Sequence, residues 1–193
     1  MSLRQTTRFR IVGFSGNTHR PSKSRALVGA IAEAVAARRP VDVQLLDLLD
    51  GGPELGAAYT PNDLTARGAA LIRAIAEADA LIVASPVYKG SYAGLFKHVF
   101  DLIDPAALAD RPVIVAATGG GHRHALVVEH QLRPLFGFFA AHTVATSVYA
   151  SDAEFSDGRP ADAALQARIA LAAGQLVEAL AHRTPRATVA AAA

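Results

Sequence analysis

Arg10-Ile11-Val12-Gly13-Phe14-Ser15-Gly16-Asn17-Thr18-His19-Arg20-Pro21-Ser22-Lys23-Ser24-Arg25 is the stretch on which the fold turns. The apolar run Phe9–Phe14 is too short for a free-standing helix and ends at small polar residues, which reads as a buried strand. Ser22 and Ser24 are helix-capping types, and an alanine-rich helical pattern follows over Ser24–Arg38. The unit is strand, polar loop, helix.

Working outward, the same alternation recurs. Further strands are predicted at Val41–Leu46, Ala80–Ser85, Pro112–Ala117 and Thr143–Tyr149. Helices are predicted at Leu64–Glu77, Tyr92–Ile103, Ala125–Phe139 and Asp162–His182. Strands at Phe9, Ala80 and Pro112 are almost wholly apolar, as in a parallel sheet covered on both faces. Val41-Asp42-Val43-Gln44-Leu45 alternates, as an edge strand does. Right-handed crossovers then predict an α/β, flavodoxin-like, doubly wound five-stranded parallel sheet in the order 2-1-3-4-5, with helices on both faces. Residues 1–183 read as a single domain and 184–193 as a disordered tail, with Pro185 breaking any helix.

Composition narrows the function. The 193 residues are 51% hydrophobic and 19% charged, a globular balance. The sequence contains no cysteine, which removes disulfides, thiolate nucleophiles and zinc–sulfur sites. A formal net charge of +2, scattered rather than striped, argues against nucleic acid. No apolar run suits a membrane span and no cleavage pattern follows the basic start, so the expected compartment is the cytoplasm.

In a doubly wound sheet, ligands bind at the carboxyl ends of the strands, where strand order reverses. That selects Ser15–Lys23, Pro86–Ser91 and Thr118–Arg123. The first loop aims a helix N-terminus at serine hydroxyls and at Arg20, Lys23 and Arg25, an anion cup suited to a phosphomonoester. The alternative is that Ser22 or Ser24 simply caps the helix. The loop has neither the nucleoside-triphosphate P-loop spacing nor G-x-G-x-x-G, and without those glycines Asp47 makes a poor ribose partner. In the second loop, Pro86 is expected to stop the strand, Gly90 to admit a ligand, and Tyr88 to offer a flat face. In the third, Thr118-Gly119-Gly120-Gly121 places backbone amides where a planar ligand would lie. In Glu129-His130-Gln131-Leu132-Arg133-Pro134, the proline cannot donate to the carbonyl of His130, and a local π-bulge around His130 would relieve the clash, the alternative being an ordinary proline kink with a surface histidine. His122, His124 and His130 have no carboxylate at a persuasive ligand spacing except Glu129, so no metal is expected.

Arg20-Pro21-Ser22-x-Ser24, Pro86-Val87-Tyr88-Lys89 followed by Gly94-Leu95-Phe96-Lys97, and Thr118-Gly119-Gly120 together resemble the NAD(P)H-dependent FMN reductase family. The resemblance runs from about Arg10 to Tyr149. It implies that Ser15, Arg20, Ser22 and Ser24 hold the FMN phosphate. It likewise implies that Pro86, Val87, Tyr88, Lys89, Gly90, Thr118, Gly119 and Gly120 flank the flavin ring. NADH or NADPH would supply hydride, with no catalytic acid or nucleophile needed. The helix around His130 is similar to that of the alkanesulfonate and methanesulfonate flavin reductases, where a bulge lies at a subunit interface. That likeness implies a homodimer or homotetramer delivering reduced FMN to an FMNH2-dependent monooxygenase. Two rivals stand beside it. One is an enzyme that retains FMN and reduces quinones, azo dyes or metal oxyanions. The other is an electron-carrying flavodoxin-like module, which would ordinarily be acidic.

Overall fold

The computed structural model describes residues 8–186. Its central sheet contains β1 (Phe9–Ser15), β2 (Val41–Asp47), β3 (Ala80–Tyr88) and β5 (Pro112–Gly119), all parallel, in the order β2-β1-β3-β5. The fifth position is occupied by two short pieces, β6 (His142–Thr143) and β7 (Val148–Ser151), both parallel to β5. This is the flavodoxin-like order, with the expected Thr143–Tyr149 strand broken in the middle. The break has a polar cause. Ala145 C=O accepts from Arg133, Thr146 N–H donates to Gln175 and Ser147 C=O accepts from Arg168, so these backbone groups face side chains and not a ladder.

The strand count also exceeds five because of two hairpins. β4 (Ser91–Tyr92) pairs antiparallel with the end of β3, and β8 (Phe155–Ser156) pairs with β9 (Arg159–Pro160). Pro86 does not stop β3. It pairs in register with Thr118, and the strand continues through Val87 and Tyr88, which pair with Tyr92 and Ser91. The proline stands where the strand changes partners, and its missing N–H is tolerated there.

Alternation along the strands sends side chains to two cores. Val12, Phe14, Leu81, Val83, Val113 and Val115 face α2 (Ala66–Glu77), α3 (Gly94–Asp101) and α4 (Arg133–Phe138). Ile11, Ile82, Ala84, Ile114 and Ala116 face α1 (Lys23–Ala36) and α5 (Ala163–Ala181). The first core holds an aromatic column in which Phe96 lies 5.7 Å from Phe14 and 5.0 Å from Phe100, and Phe100 lies 4.9 Å from Phe136. These phenylalanines are core, whereas Phe138 is 73% exposed.

Close helix–sheet packing fixes the entry to α1. A Cβ on Gly13 would meet Val28 at 2.5 Å and Leu45 at 2.6 Å, and one on Gly16 would meet Phe96 at 2.7 Å. Residues 184–186 do not simply trail away, since Arg186 N–H donates to Asp79 at 2.9 Å. The rest of the expected tail lies outside the described residues. Among the described residues, no helix is long and apolar enough to cross a membrane.

Candidate functional site

The carboxyl ends of β1, β3 and β5 open onto a cleft of about 860 Å3. Of the residues selected from the sequence, Arg20, Ser22, Ser24, Pro86, Tyr88 and Thr118 line it, whereas Ser15, Gly119 and Gly120 do not. Asn17, Lys23 and Arg25 join them from the first loop. One wall was not foreseen, namely the turn of the β8–β9 hairpin, Asp157–Pro160. Its signal was present as Asp157-Gly158, a two-residue hairpin turn in which both residues adopt positive φ, 50° and 75°.

Within the first loop, Ser22 does cap α1, accepting from Arg25 N–H at 3.3 Å. Ser24 is buried, and its hydroxyl lies 2.6 Å from that of Thr118, tying the first loop to the third. Ser15, the last residue of β1, is fully buried and its hydroxyl has no partner among the described residues. The side-chain oxygen of Asn17 is equally orphaned. Buried polar atoms are nearly always satisfied, so two orphans at one strand edge mark a place where a polar ligand or water completes the structure. A mononucleotide flavin fits this donor set: hydroxyls and helix amides at one end, open glycine backbone at the other.

Arg20 is placed differently from the simple expectation of a free phosphate ligand. Its Nε and Nη2 bind Asp47 at 2.6 and 2.7 Å, and Nη2 also reaches Asp50 at 2.8 Å. Only its Nη1 is without an acceptor among the described residues. Asp47 is fully buried and also accepts from Asn17 at 3.2 Å and Arg25 at 3.1 Å. Burial works against ionisation of Asp47, but the hydrogen bonds and charges of Arg20, Asn17 and Arg25 outweigh it and hold the carboxyl below its ordinary range. The same pairing raises the Arg20 pKa. Asp47 is therefore an organiser of the loop and not a ribose partner. Sequence periodicity could not show this, because it depends on the register that sets Asp47 beside Ser15.

The second loop is a tight hairpin. Lys89 and Gly90 form its turn at φ 52° and 86°, and Tyr88 pairs with Ser91. Both turn residues are exposed and, with Val87, lie outside the cleft lining, since Val87 packs on the core. In the third loop, Gly120 and Gly121 have open space where a Cβ would go. Gly119 does not: a Cβ there would meet the Tyr149 hydroxyl at 2.5 Å. Its need for glycine is internal packing, not ligand approach, and Tyr149 Oη donates to Gly121 C=O at 2.5 Å.

The helix before β6 contains a π-helical turn, Val128–Leu132, centred on His130, and Arg133 N–H donates to Val128 C=O five residues back. His130 is exposed. The link from this turn to the site is made by the neighbouring Gln131, which accepts from Ser91 of the hairpin at 3.1 Å. Glu129 accepts from Arg133 at 2.6 Å and from Ser147 at 2.5 Å, and these contacts, opposed by partial burial, lower its pKa.

The sequence matches the NADPH-dependent FMN reductase family over residues 9–155. It is 49% identical over 168 residues to an FMN reductase (NADPH) of Pseudomonas aeruginosa, covering 87% of this chain and 90% of that protein. An NADH-dependent FMN reductase, SfnF, of Pseudomonas fluorescens is 50% identical over 164 residues, covering 85% and 88%. Among solved structures, an oxidoreductase from Corynebacterium diphtheriae superposes with a TM-score of 0.82 at 35% identity, covering 92% of this chain and 99% of its own. The family match over residues 9–155, with relatives 49% and 50% identical across more than four-fifths of the chain, leads to one conclusion: this chain belongs to the NADPH-dependent FMN reductase family.

Proposed function

We propose that the chain oxidises NADH or NADPH to reduce FMN, and that reduced FMN leaves it for a separate FMNH2-dependent monooxygenase. The observation that carries this reading is the pair of orphaned buried groups, on Ser15 at the carboxyl end of β1 and on Asn17 in the lining of the adjoining hydroxyl-rich cleft. Ser15, Ser24 and the free amides at the start of α1 receive the phosphate, with Nη1 of Arg20 beside them. Tyr88 and the backbone of Thr118–Gly120 take the ring end. Bound FMN supplies the hydride-accepting chemistry. The protein's share is to bind, orient and shield: the Ser24–Thr118 contact fixes the spacing between phosphate and ring ends, and the Asp157–Pro160 turn walls the cleft from water. No side chain is required to move a proton.

The reading supposes one flavodoxin-like domain acting in the cytoplasm as a homodimer or homotetramer, with the face around His130, Leu126 and Phe138 available for association. The decisive assay follows NADH and NADPH oxidation with and without added FMN. Saturation in free FMN with a sequential pattern supports flavin as substrate. Ping-pong turnover of a tightly flavinated enzyme with quinones or azo dyes supports the rival, and no oxidation of either coenzyme refutes both.

A further inference from the structure

Every cation of the phosphate loop is already matched by a carboxylate. Arg20 is held by Asp47 and Asp50, and Arg25 by Asp47 at 3.1 Å with Asp50 at 3.8 Å. Lys23 is held by Asp152 at 2.8 Å, from the turn after β7. Three cations therefore face three carboxylates, and the loop that looks strongly basic in sequence carries almost no net charge. Asp47 is fully buried and fixes geometry. Asp50 and Asp152 are different: their side chains are 33% and 57% exposed, and neutral amides of the same shape would keep the local hydrogen bonds.

We propose that Asp50 and Asp152 are affinity-setting residues that neutralise the phosphate loop, so that a flavin phosphate dianion is held by hydrogen bonds without a net electrostatic pull and is released after reduction. This rests on the reading of the cleft as the FMN site and deepens it, because a reductase that supplies a separate oxygenase must let its product go. A phosphate carries about −1.5 to −2 charges at pH 7 and would bind a cup with unmatched arginines and lysine far more tightly. The neutral cup also makes affinity nearly independent of ionic strength, since no excess charge remains to be screened.

The test is titration of the purified protein with FMN and, in parallel, with riboflavin, which lacks the phosphate, at low and moderate salt. Asp50→Asn and Asp152→Asn should each tighten FMN binding about three- to fivefold, the size of one exposed charge interaction. Both should steepen the salt dependence, leave riboflavin unchanged and slow steady-state turnover through slower release. Tightening is an outcome that mere loss of a structural contact does not produce. Asp47→Asn should instead weaken FMN binding, because Arg20 and Arg25 lose the carboxylate that positions them. Ser24→Ala distinguishes failure of the neutralisation from failure of the site. If it weakens FMN binding while both asparagine variants bind no tighter than the parent, the site stands and the neutralisation proposal is overturned. If none of the four variants alters FMN affinity, the site assignment falls and the proposal with it.

Discussion

Replacing Gly119 by alanine tests how the third loop is held. Gly119 has no positive φ, so its backbone accepts any residue, and the obstacle is the Tyr149 hydroxyl 2.5 Å from the new Cβ. That oxygen must move, and in moving it gives up its hydrogen bond to Gly121 C=O, which orders the glycine run. Overpacking of this kind costs roughly 1–3 kcal/mol, of which the lost hydrogen bond is about 1 kcal/mol. Tyr149→Phe alone should cost about 0.5–1.5 kcal/mol through the same hydrogen bond. In the Tyr149→Phe background, however, the nearest ring atom to the Cβ is Cζ at 3.5 Å, an ordinary contact. The double variant should thus be little less stable than Tyr149→Phe, giving a coupling energy of about 1–2 kcal/mol in urea unfolding. Additive losses, with Gly119→Ala equally costly in both backgrounds, would refute the claim that the hydroxyl dictates glycine at 119. A loss in FMN binding by Gly119→Ala that Tyr149→Phe fails to relieve would place the alanine methyl against the ligand instead.

Gly90→Ala puts a Cβ at φ 86° in open space, so only backbone strain acts, and thermal unfolding should fall by the few degrees that ~1 kcal/mol represents in a domain of this size. Phe100→Ala removes the centre of the aromatic column, contacted by Phe14, Phe96 and Phe136, and should cost about 3–5 kcal/mol in denaturant unfolding; a loss below ~1 kcal/mol would deny that the column is packed. Glu129 has its pKa lowered in the folded protein, so its contribution to stability is complete above its ordinary value of 4.5 and disappears as pH falls through the lower folded value. Glu129→Gln should flatten the acid limb of the stability profile over that window and leave the neutral-pH slope unchanged.

The architecture was readable because β1, β3 and β5 each contain a nearly continuous apolar run, a pattern set locally by burial on both faces. The bulge at His130 was readable for an equally local reason, the absent N–H of Pro134. What escaped reading depends on partners that lie outside the segment being read. The gap between β6 and β7 exists because Arg133, Gln175 and Arg168 reach backbone groups that a lone strand would have offered to its neighbour. The extension of β3 past Pro86 exists because Tyr92 and Ser91 return to pair with it. Neither partner can be inferred from the segment itself.

The phosphate loop shows the same divide within one site. Its hydroxyls and amides are supplied by adjacent residues, so the proposed phosphate cup could be read from the segment and from its resemblance to the family. Its field could not, because Asp47 and Asp50 arrive with β2 and the turn after it, and Asp152 arrives from beyond β7. Arg20, Lys23 and Arg25 seen in sequence set only an upper bound on the positive charge a ligand meets. Coulomb energy falls with distance and with every opposing charge, so three close carboxylates remove most of that bound. Affinity for a phosphate at this sheet edge is then governed less by the cations the loop contains than by the acids the fold brings against them.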